Sequence, residues 1–172
     1  GGTDLYVQRG ETLPDIPVNL LRTQSAIPAA CVRGDCVVVD ARMTFEAFSN
    51  DPLIQSYVPN MKAYNLLIAS WPVRTRATLG GNICNASPIA DMTCLLLALE
   101  SVLVLRKDGI DRELPLKDFY LGYKELNKAP EEIVVEVRFP KPGKETHIHW
   151  EKVSKRAWLD IATVNSAIKL EM

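Results

Sequence analysis

The sequence predicts an α+β fold in which helices flank one side of an antiparallel sheet. Apolar residues recur at helical spacing in the first half of the chain, whereas the second half consists mainly of short runs with strand character. Turn signals such as Asp108-Gly109 and the stretch 140–144, rich in proline and lysine, separate successive runs. Strands joined directly to strands favour antiparallel pairing, and the helices then cover one face of the sheet.

The first predicted strand is Cys36–Asp40, which is short and β-branched and therefore suited to a buried position. Cys31 and Cys36 flank a hairpin turn, so their thiols are candidates for neighbours on paired strands. A short extended segment is also predicted at 15–21, with prolines at its edge.

Helices are predicted in three places. Thr44 is a suitable N-cap for a helix that follows it. Over 53–70 the apolar residues have near-helical spacing, and Pro59 must break or restart that helix. Ser87 and Pro88 are typical of a helix cap and a first helical position, which predicts a buried, mostly apolar helix from Pro88 to about residue 99.

The second half contains five runs with strand character, at Val102–Lys107, 110–114, 132–139, 145–153 and 161–171. The first two form a hairpin across Asp108-Gly109, and the stretch 116–123 is predicted to begin as a helix.

The polar stretch 78–91 is the candidate functional loop. Gly80 and Gly81 predict a tight loop whose backbone N–H groups a bulky ligand can reach. Hydrogen-bonding side chains around the same turn come from Thr78, Asn82 and Ser87. The positive end of the predicted helix points to this loop, which favours an anionic or polar cofactor group there. A tight connection without a ligand is the alternative that the pattern leaves open.

Composition narrows the classes of function. The 20 basic and 21 acidic residues give a net charge of −1, which argues against a broad nucleic-acid-binding surface. The apolar fraction of 47% excludes a disordered chain, and the strongest apolar stretch is too short to cross a bilayer. Four cysteines without a CxxC pair predict reduced thiols, no metal site and a cytoplasmic location.

The stretch 77–91 resembles the second flavin loop of the FAD-binding medium subunits of molybdenum hydroxylases, the xanthine dehydrogenase and carbon monoxide dehydrogenase type. The residues that approach this loop are also similar, although Trp71-Pro72 is less typical. Gly1-Gly2-Thr3-Asp4-Leu5 resembles the end of the first flavin loop. The stretch 151–156, followed by Asp160-Ile161-Ala162, resembles the last strands near the flavin.

The resemblance implies a PCMH-type FAD-binding domain with two lobes, usually followed by a C-terminal domain. The second lobe is an antiparallel sheet of about five strands flanked by helices. We expect residues 1–172 to be a partial domain of this type, truncated at both ends. Most of the N-terminal lobe and all of the C-terminal domain would be missing.

Cofactor-binding roles are also implied by the resemblance, position by position. The first loop would close around the pyrophosphate and ribityl chain through Gly1, Gly2, Thr3 and Asp4. The second loop would consist of Thr78, Gly80, Gly81 and Asn82. Ser87 would cap the helix and reach the FAD, and Asp91 would bind the adenosine or ribityl side. Val134 would present its backbone to the isoalloxazine edge, and Lys152 would approach the flavin ring, where a cation stabilises the reduced anionic form.

Strand alternation leaves simpler interpretations of two features open. On the predicted strand 145–153, Lys152 shares a face with Trp150 and could merely pack its stem against that ring. His147 and His149 share the opposite face with Glu151, where a solvated surface is preferred over a metal site.

The resemblance implies an oxidoreductase subunit that positions a cofactor and needs no catalytic residue of its own. FAD would pass electrons from iron–sulfur clusters on a small partner subunit to NAD or another acceptor. A large partner subunit carrying molybdopterin would oxidise the substrate. Two alternatives stay open: a flavin-free scaffold or remnant that holds partner subunits, and a flavin-dependent reductase of cell-wall precursors with the same fold.

Overall fold

A five-stranded antiparallel sheet is the main feature of the computed structural model, which describes residues 2–15, 17 and 29–172. The strands are β1 (Ala30–Arg33), β2 (Cys36–Asp40), β3 (Val102–Lys107), β4 (Ile110–Pro115), β5 (Tyr120–Gly122), β6 (Glu125–Leu126), β7 (Ile133–Pro140), β8 (Thr146–Val153) and β9 (Val164–Glu171). The sheet has the order β1-β2-β7-β3-β4, and all neighbouring strands are antiparallel. The predicted α+β class is therefore confirmed.

Six helices lie between β2 and β3 and cover one face of the sheet. After α1 (Thr3–Arg9), they are α2 (Phe45–Asn50), α3 (Pro52–Tyr57), α4 (Met61–Leu66), α5 (Trp71–Arg74), α6 (Leu79–Asn85) and α7 (Asp91–Ala98). Alternate strand residues such as Val37, Leu103 and Phe139 share one core with Phe48 and Leu95 of the helices. None of the helices among the described residues is long and apolar enough to cross a bilayer.

Several local predictions are confirmed. Thr44 Oγ1 accepts a hydrogen bond from the Ala47 N–H at 3.1 Å and caps α2. The helical stretch 53–70 is broken around Pro59, because α3 ends at Tyr57 and α4 begins at Met61. Both Asp108 and Gly109 have positive φ, as a two-residue hairpin turn of type I′ requires. The stretch 116–123 begins with the 3₁₀ helix Leu116–Asp118.

The hairpin formed by β1 and β2 is also as predicted, but its two thiols are not opposite each other. Cys31 pairs with Val38, and Cys36 pairs with Arg33. All four cysteines are free.

The prediction of a tight loop at Gly80-Gly81 is wrong, because both glycines lie in the first turn of α6. Thr78 Oγ1 caps this helix by accepting from the Gly81 N–H at 3.2 Å. The Gly80 N–H donates to Ala41 O at 2.8 Å, just beyond the end of β2. Contacts with the sheet thus impose a helix where local propensity disfavours one.

The following helix starts later than predicted. The Ala90 N–H donates to Ser87 O at 3.2 Å, so Ser87 to Ala90 form a turn, and α7 begins at Asp91 with Ala90 as its N-cap residue. Leu97 is 39% exposed, so α7 is also not buried on every side.

The last two predicted strands are present, but they form a separate hairpin, β8 with β9. It packs against α7 and joins the core through Trp150, whose ring centroid lies 5.5 Å from that of Tyr64.

At the other end of the chain, Asp15 closes the 3₁₀ helix Leu13–Asp15, and most of the extended segment predicted at 15–21 lies outside the described residues.

Ion pairs cover the face of the sheet opposite the helices. Glu136 on β7 accepts from Arg33 on β1 at 2.6 Å and from Arg138 on its own strand at 2.7 Å. Arg138 also pairs with Glu113 on β4. Val38 is only 3% exposed on this face, so the ion pairs help to shield apolar strand residues.

Candidate functional site

A cavity of about 560 Å³ lies between α1, the turn after α6, and the start of the β8–β9 loop. Six of the residues assigned to the cofactor from sequence line it: Thr3, Asp4, Asn82, Ser87, Asp91 and Lys152. Its apolar walls include Phe45, Ile68 and Val73. The structure therefore brings together residues separated by about 150 positions in the chain, which is what a ligand site with a few convergent polar groups requires.

A buried ion pair forms one end of the cavity. Lys152 Nζ donates to Asp91 Oδ2 at 2.7 Å and to Leu67 O at 3.1 Å, and the two charged side chains are only 4% and 10% exposed. Burial raises the pKa of Asp91, whereas the hydrogen bonds from Lys152 and Asn165 act in the opposite direction. The charge of Lys152 is thus already paired with a carboxylate of the same site.

Asn165 is a site residue that sequence reasoning missed. Its Nδ2 donates to Asp91 Oδ1 at 2.6 Å, and it is the register partner of Lys152 across the β8–β9 hairpin. Asn165 Oδ1 is buried and has no hydrogen-bond partner among the described residues. Asn165 lines a second cavity of about 530 Å³, and Ser87, Ile89 and Ala90 line both cavities. The sequence signal for this residue was that Asn165 is polar although alternation along β9 places it on the inward face of the strand.

The first turn of α6, which contains Gly80 and Gly81, supports the site without lining the cavity. Gly80 is buried against Ala41, Gly81 is exposed, and Thr78 caps the helix that both belong to. This helix carries Asn82 into the cavity wall, where Asn82 Oδ1 accepts from Thr93 Oγ1 at 3.4 Å. Thr78, Gly80 and Gly81 therefore form the start of the helix that positions Asn82.

The N-terminal residues reach the same cavity. Gly2 has a φ of +88° and precedes α1, which places Thr3 and Asp4 at the cavity. Asp4 accepts from Gln8, and Gln8 Nε2 donates to Asn85 Oδ1 at 3.5 Å, which connects α1 to the end of α6. Gly1 lies outside the described residues.

Two further sequence assignments fall elsewhere. Val134 is 9% exposed in the core and pairs with Leu105 of β3, away from the cavity, so its role at a flavin edge stays a prediction. His147, His149 and Glu151 are exposed on the outer face of β8. Within the described part of the chain, no three His, Cys, Asp or Glu side chains are grouped as a metal site.

Comparisons with known proteins indicate the family to which the chain belongs. The sequence model of the FAD binding domain in molybdopterin dehydrogenase matches residues 1–142. The carbon monoxide dehydrogenase medium chain of Hydrogenophaga pseudoflava is 32% identical over 135 residues, which cover 78% of this chain and 47% of that protein. The nicotinate dehydrogenase FAD-subunit of Eubacterium barkeri is 25% identical over 177 residues, which cover 100% of this chain and 60% of that protein.

Solved structures give the same result. The cyanide-inactivated Cu,Mo-CO dehydrogenase has a TM-score of 0.82 and 28% identity, over 88% of this chain and 53% of the matched chain. The chain thus spans about half the length of these relatives. Because the family's sequence model covers most of its residues, the chain belongs to the family of FAD-binding domains of molybdopterin dehydrogenases.

Proposed function

We propose that this chain binds FAD in the 560 Å³ cavity and serves as the FAD-binding part of a molybdenum hydroxylase-type oxidoreductase. The observation that carries the proposal is the convergence of six sequence-assigned cofactor residues on this one cavity. When bound, FAD would supply the redox chemistry by taking up electrons and releasing them to NAD or another acceptor.

The side chains that line the cavity fit such a cofactor. FAD combines an apolar ring system with polar ribityl and pyrophosphate groups, and the cavity combines walls such as Ile68 and Val73 with Asn82 and Lys152. These residues bind, orient and exclude water, and the proposal gives none of them a proton-transfer step.

The proposed assembly includes a small partner subunit with iron–sulfur clusters and a large one with molybdopterin. The names of the relatives, a medium chain and a FAD-subunit, support a place in a complex of several chains. Exposed apolar side chains near the cavity also support a protein interface, and they include Val153, Trp158, Leu159, Ile161, Val164 and Ile168. In this proposal the chain is a partial PCMH-type domain located in the cytoplasm.

A titration of the purified chain with FAD tests the proposal, monitored by the flavin's visible absorbance and fluorescence. We expect saturable binding of one FAD per chain. Lys152→Gln should weaken it by about tenfold, because Asp91 is then an uncompensated negative charge beside an anionic cofactor.

Lys169→Gln is the matched control. Lys169 lies on the adjacent strand β9 and pairs with Glu100 and Glu171, but it does not line the cavity. Its replacement should leave FAD affinity unchanged. A chain that remains colourless after incubation with saturating FAD and removal of the unbound FAD would contradict the proposal.

The second candidate function is a flavin-free scaffold that holds partner subunits. The exposed apolar residues between Val153 and Ile168 favour it, since they need no cofactor to form an interface. Failure to bind FAD, together with retained co-purification of partner subunits, would favour the scaffold over the redox function.

A further inference from the structure

Arg74 is a buried cation directly behind the cavity wall. Its residue exposure is 7%, and its Nε donates to Glu46 Oε2 at 3.0 Å. Its Nη1 donates to two successive backbone carbonyls, Ile68 O at 3.1 Å and Ala69 O at 2.9 Å. A guanidinium group suits this task because its donors have fixed directions in one plane.

The segment that Arg74 holds is part of the cavity. Ile68, Ala69 and Ser70 all line it. Ala69 has a φ of +46°, a left-handed conformation that residues other than glycine rarely adopt without support from their surroundings. The adjacent carbonyl, Leu67 O, accepts from Lys152. Three successive carbonyls therefore bond to cations of the protein.

The planarity of the peptide bond determines where the N–H groups of this segment point. In a trans peptide the C=O and the following N–H point in opposite directions. Since Ile68 O and Ala69 O point to Arg74, the N–H groups of Ala69 and Ser70 point away from it, in residues that line the cavity. Neither N–H donates to any residue that the structure describes.

We propose that Arg74 is a positioning residue of the FAD site, which fixes these two peptide planes so that their N–H groups can bind oxygen atoms of the cofactor. FAD offers such acceptors in its phosphates, ribityl hydroxyls and ring carbonyls. The inference rests on the proposed function and adds a residue that does not itself line the cavity. Glu46 completes the arrangement, because it accepts from both Arg74 and Asn65.

The test compares Arg74→Lys with Arg112→Lys in the purified chain. Arg74→Lys keeps a positive charge beside Glu46, but an ammonium group lacks the planar set of donors that bonds the carboxylate and both carbonyls at once. Arg112 is the matched control, since it also bonds a carboxylate (Glu132, 2.5 Å) and a backbone carbonyl (Asn127, 3.0 Å) and lies away from the cavity.

Two readouts are needed. Without flavin, hydrogen exchange should become faster in the peptide that covers 67–77 in Arg74→Lys and stay unchanged there in Arg112→Lys. With flavin, Arg74→Lys should lower FAD affinity by about tenfold, the size of one or two lost hydrogen bonds, while Arg112→Lys should not. Glu46→Gln retains both carbonyl bonds and should give a smaller loss, which provides a second variant if Arg74→Lys folds poorly.

The outcomes separate the two proposals. If the unchanged chain binds FAD and Arg74→Lys binds it equally well, the role of Arg74 is overturned while the FAD function stands. If the unchanged chain binds no FAD, the proposed function fails and the role of Arg74 in the site fails with it. Slower exchange or no change at 67–77 in Arg74→Lys would also overturn the positioning role.

Discussion

At the scale of single residues, the Asp91–Lys152 pair shows how a buried site can be both neutral and polar. Each charge has been moved out of water, which costs free energy, and each is compensated mainly by the other. Leu67 O accepts a second hydrogen bond from Lys152, and Asn165 donates one to Asp91. Removing one partner should therefore cost more than replacing both.

A double-mutant cycle on this pair tests that interpretation. Asp91→Asn leaves a buried ammonium unpaired and should lower the free energy of unfolding by about 3 kcal/mol. Lys152→Met should cost a similar amount, and the double variant should cost less than the sum of the two. Urea denaturation of the four proteins measures the coupling. Additive losses would show that the two groups do not depend on each other.

At the scale of elements, helix α6 shows a tertiary contact overriding local propensity. A Cβ on Gly80 would lie 3.0 Å from Ala41 Cβ and 3.1 Å from Ala41 O, so this position admits only glycine without movement of the sheet. Gly81 is exposed, and a Cβ there would lie 2.8 Å from the hydroxyl of Thr78. The two glycines of one helical turn are therefore under different constraints.

Alanine at each glycine should separate these constraints. Gly80→Ala should destabilise the chain by about 1 to 3 kcal/mol, because the added methyl overpacks a buried contact. Gly81→Ala should be nearly neutral, since a loss of about 1 kcal/mol at the Thr78 cap offsets a similar gain in helix propensity. Thermal unfolding of both variants measures the difference. Equal losses would contradict the role assigned to Ala41.

This helix also shows what the sequence could not reveal. The adjacent glycines were interpreted as a tight loop open to a ligand, whereas Gly80 lies in a helix and packs against Ala41, nearly 40 residues earlier. The strands and the Asp108-Gly109 turn were predictable because alternation and turn residues are local signals. Asn165 and Arg74 were not, since their importance depends on which strand or carbonyl lies opposite them.

At the scale of the whole molecule, charged pairs connect parts of the chain that the core does not. Arg112 on the edge strand β4 bonds Glu132, just before β7, at 2.5 and 2.8 Å, and also Asn127 O. Glu132 Oε2 accepts from the Ala129 N–H as well. The hydrogen bonds from the Arg112 guanidinium lower the pKa of Glu132 to about 2, while burial acts in the opposite direction.

The chain should lose stability in acid partly through Glu132. In the unfolded chain this group binds a proton near pH 4.5, whereas in the folded chain it does so only near pH 2. Its stabilisation is therefore present above pH 4.5 and is lost as the pH falls through about 2. Glu132→Gln should lower the free energy of unfolding at neutral pH by on the order of 1 kcal/mol, reduced by solvent screening, and the difference should shrink in acid.

Glu131→Gln is the control for this measurement. Glu131 is adjacent in sequence but pairs with Lys107 at 3.4 Å in an exposed position. Its replacement should change the acid dependence of urea denaturation little. An identical pH profile for Glu132→Gln and the unchanged chain would rule out the assigned role of the pair.

The walls of the cavity have a consequence for the order of events during synthesis. Its lining begins at Thr3 and is completed by residues that follow the last strand of the five-stranded sheet, namely Lys152, Arg156, Leu159, Asp160 and Ile161. A growing polypeptide can therefore form that whole sheet while the pocket still lacks one side. Cofactor loading would then be a late step, possible only after β8 has left the ribosome and folded back onto α7.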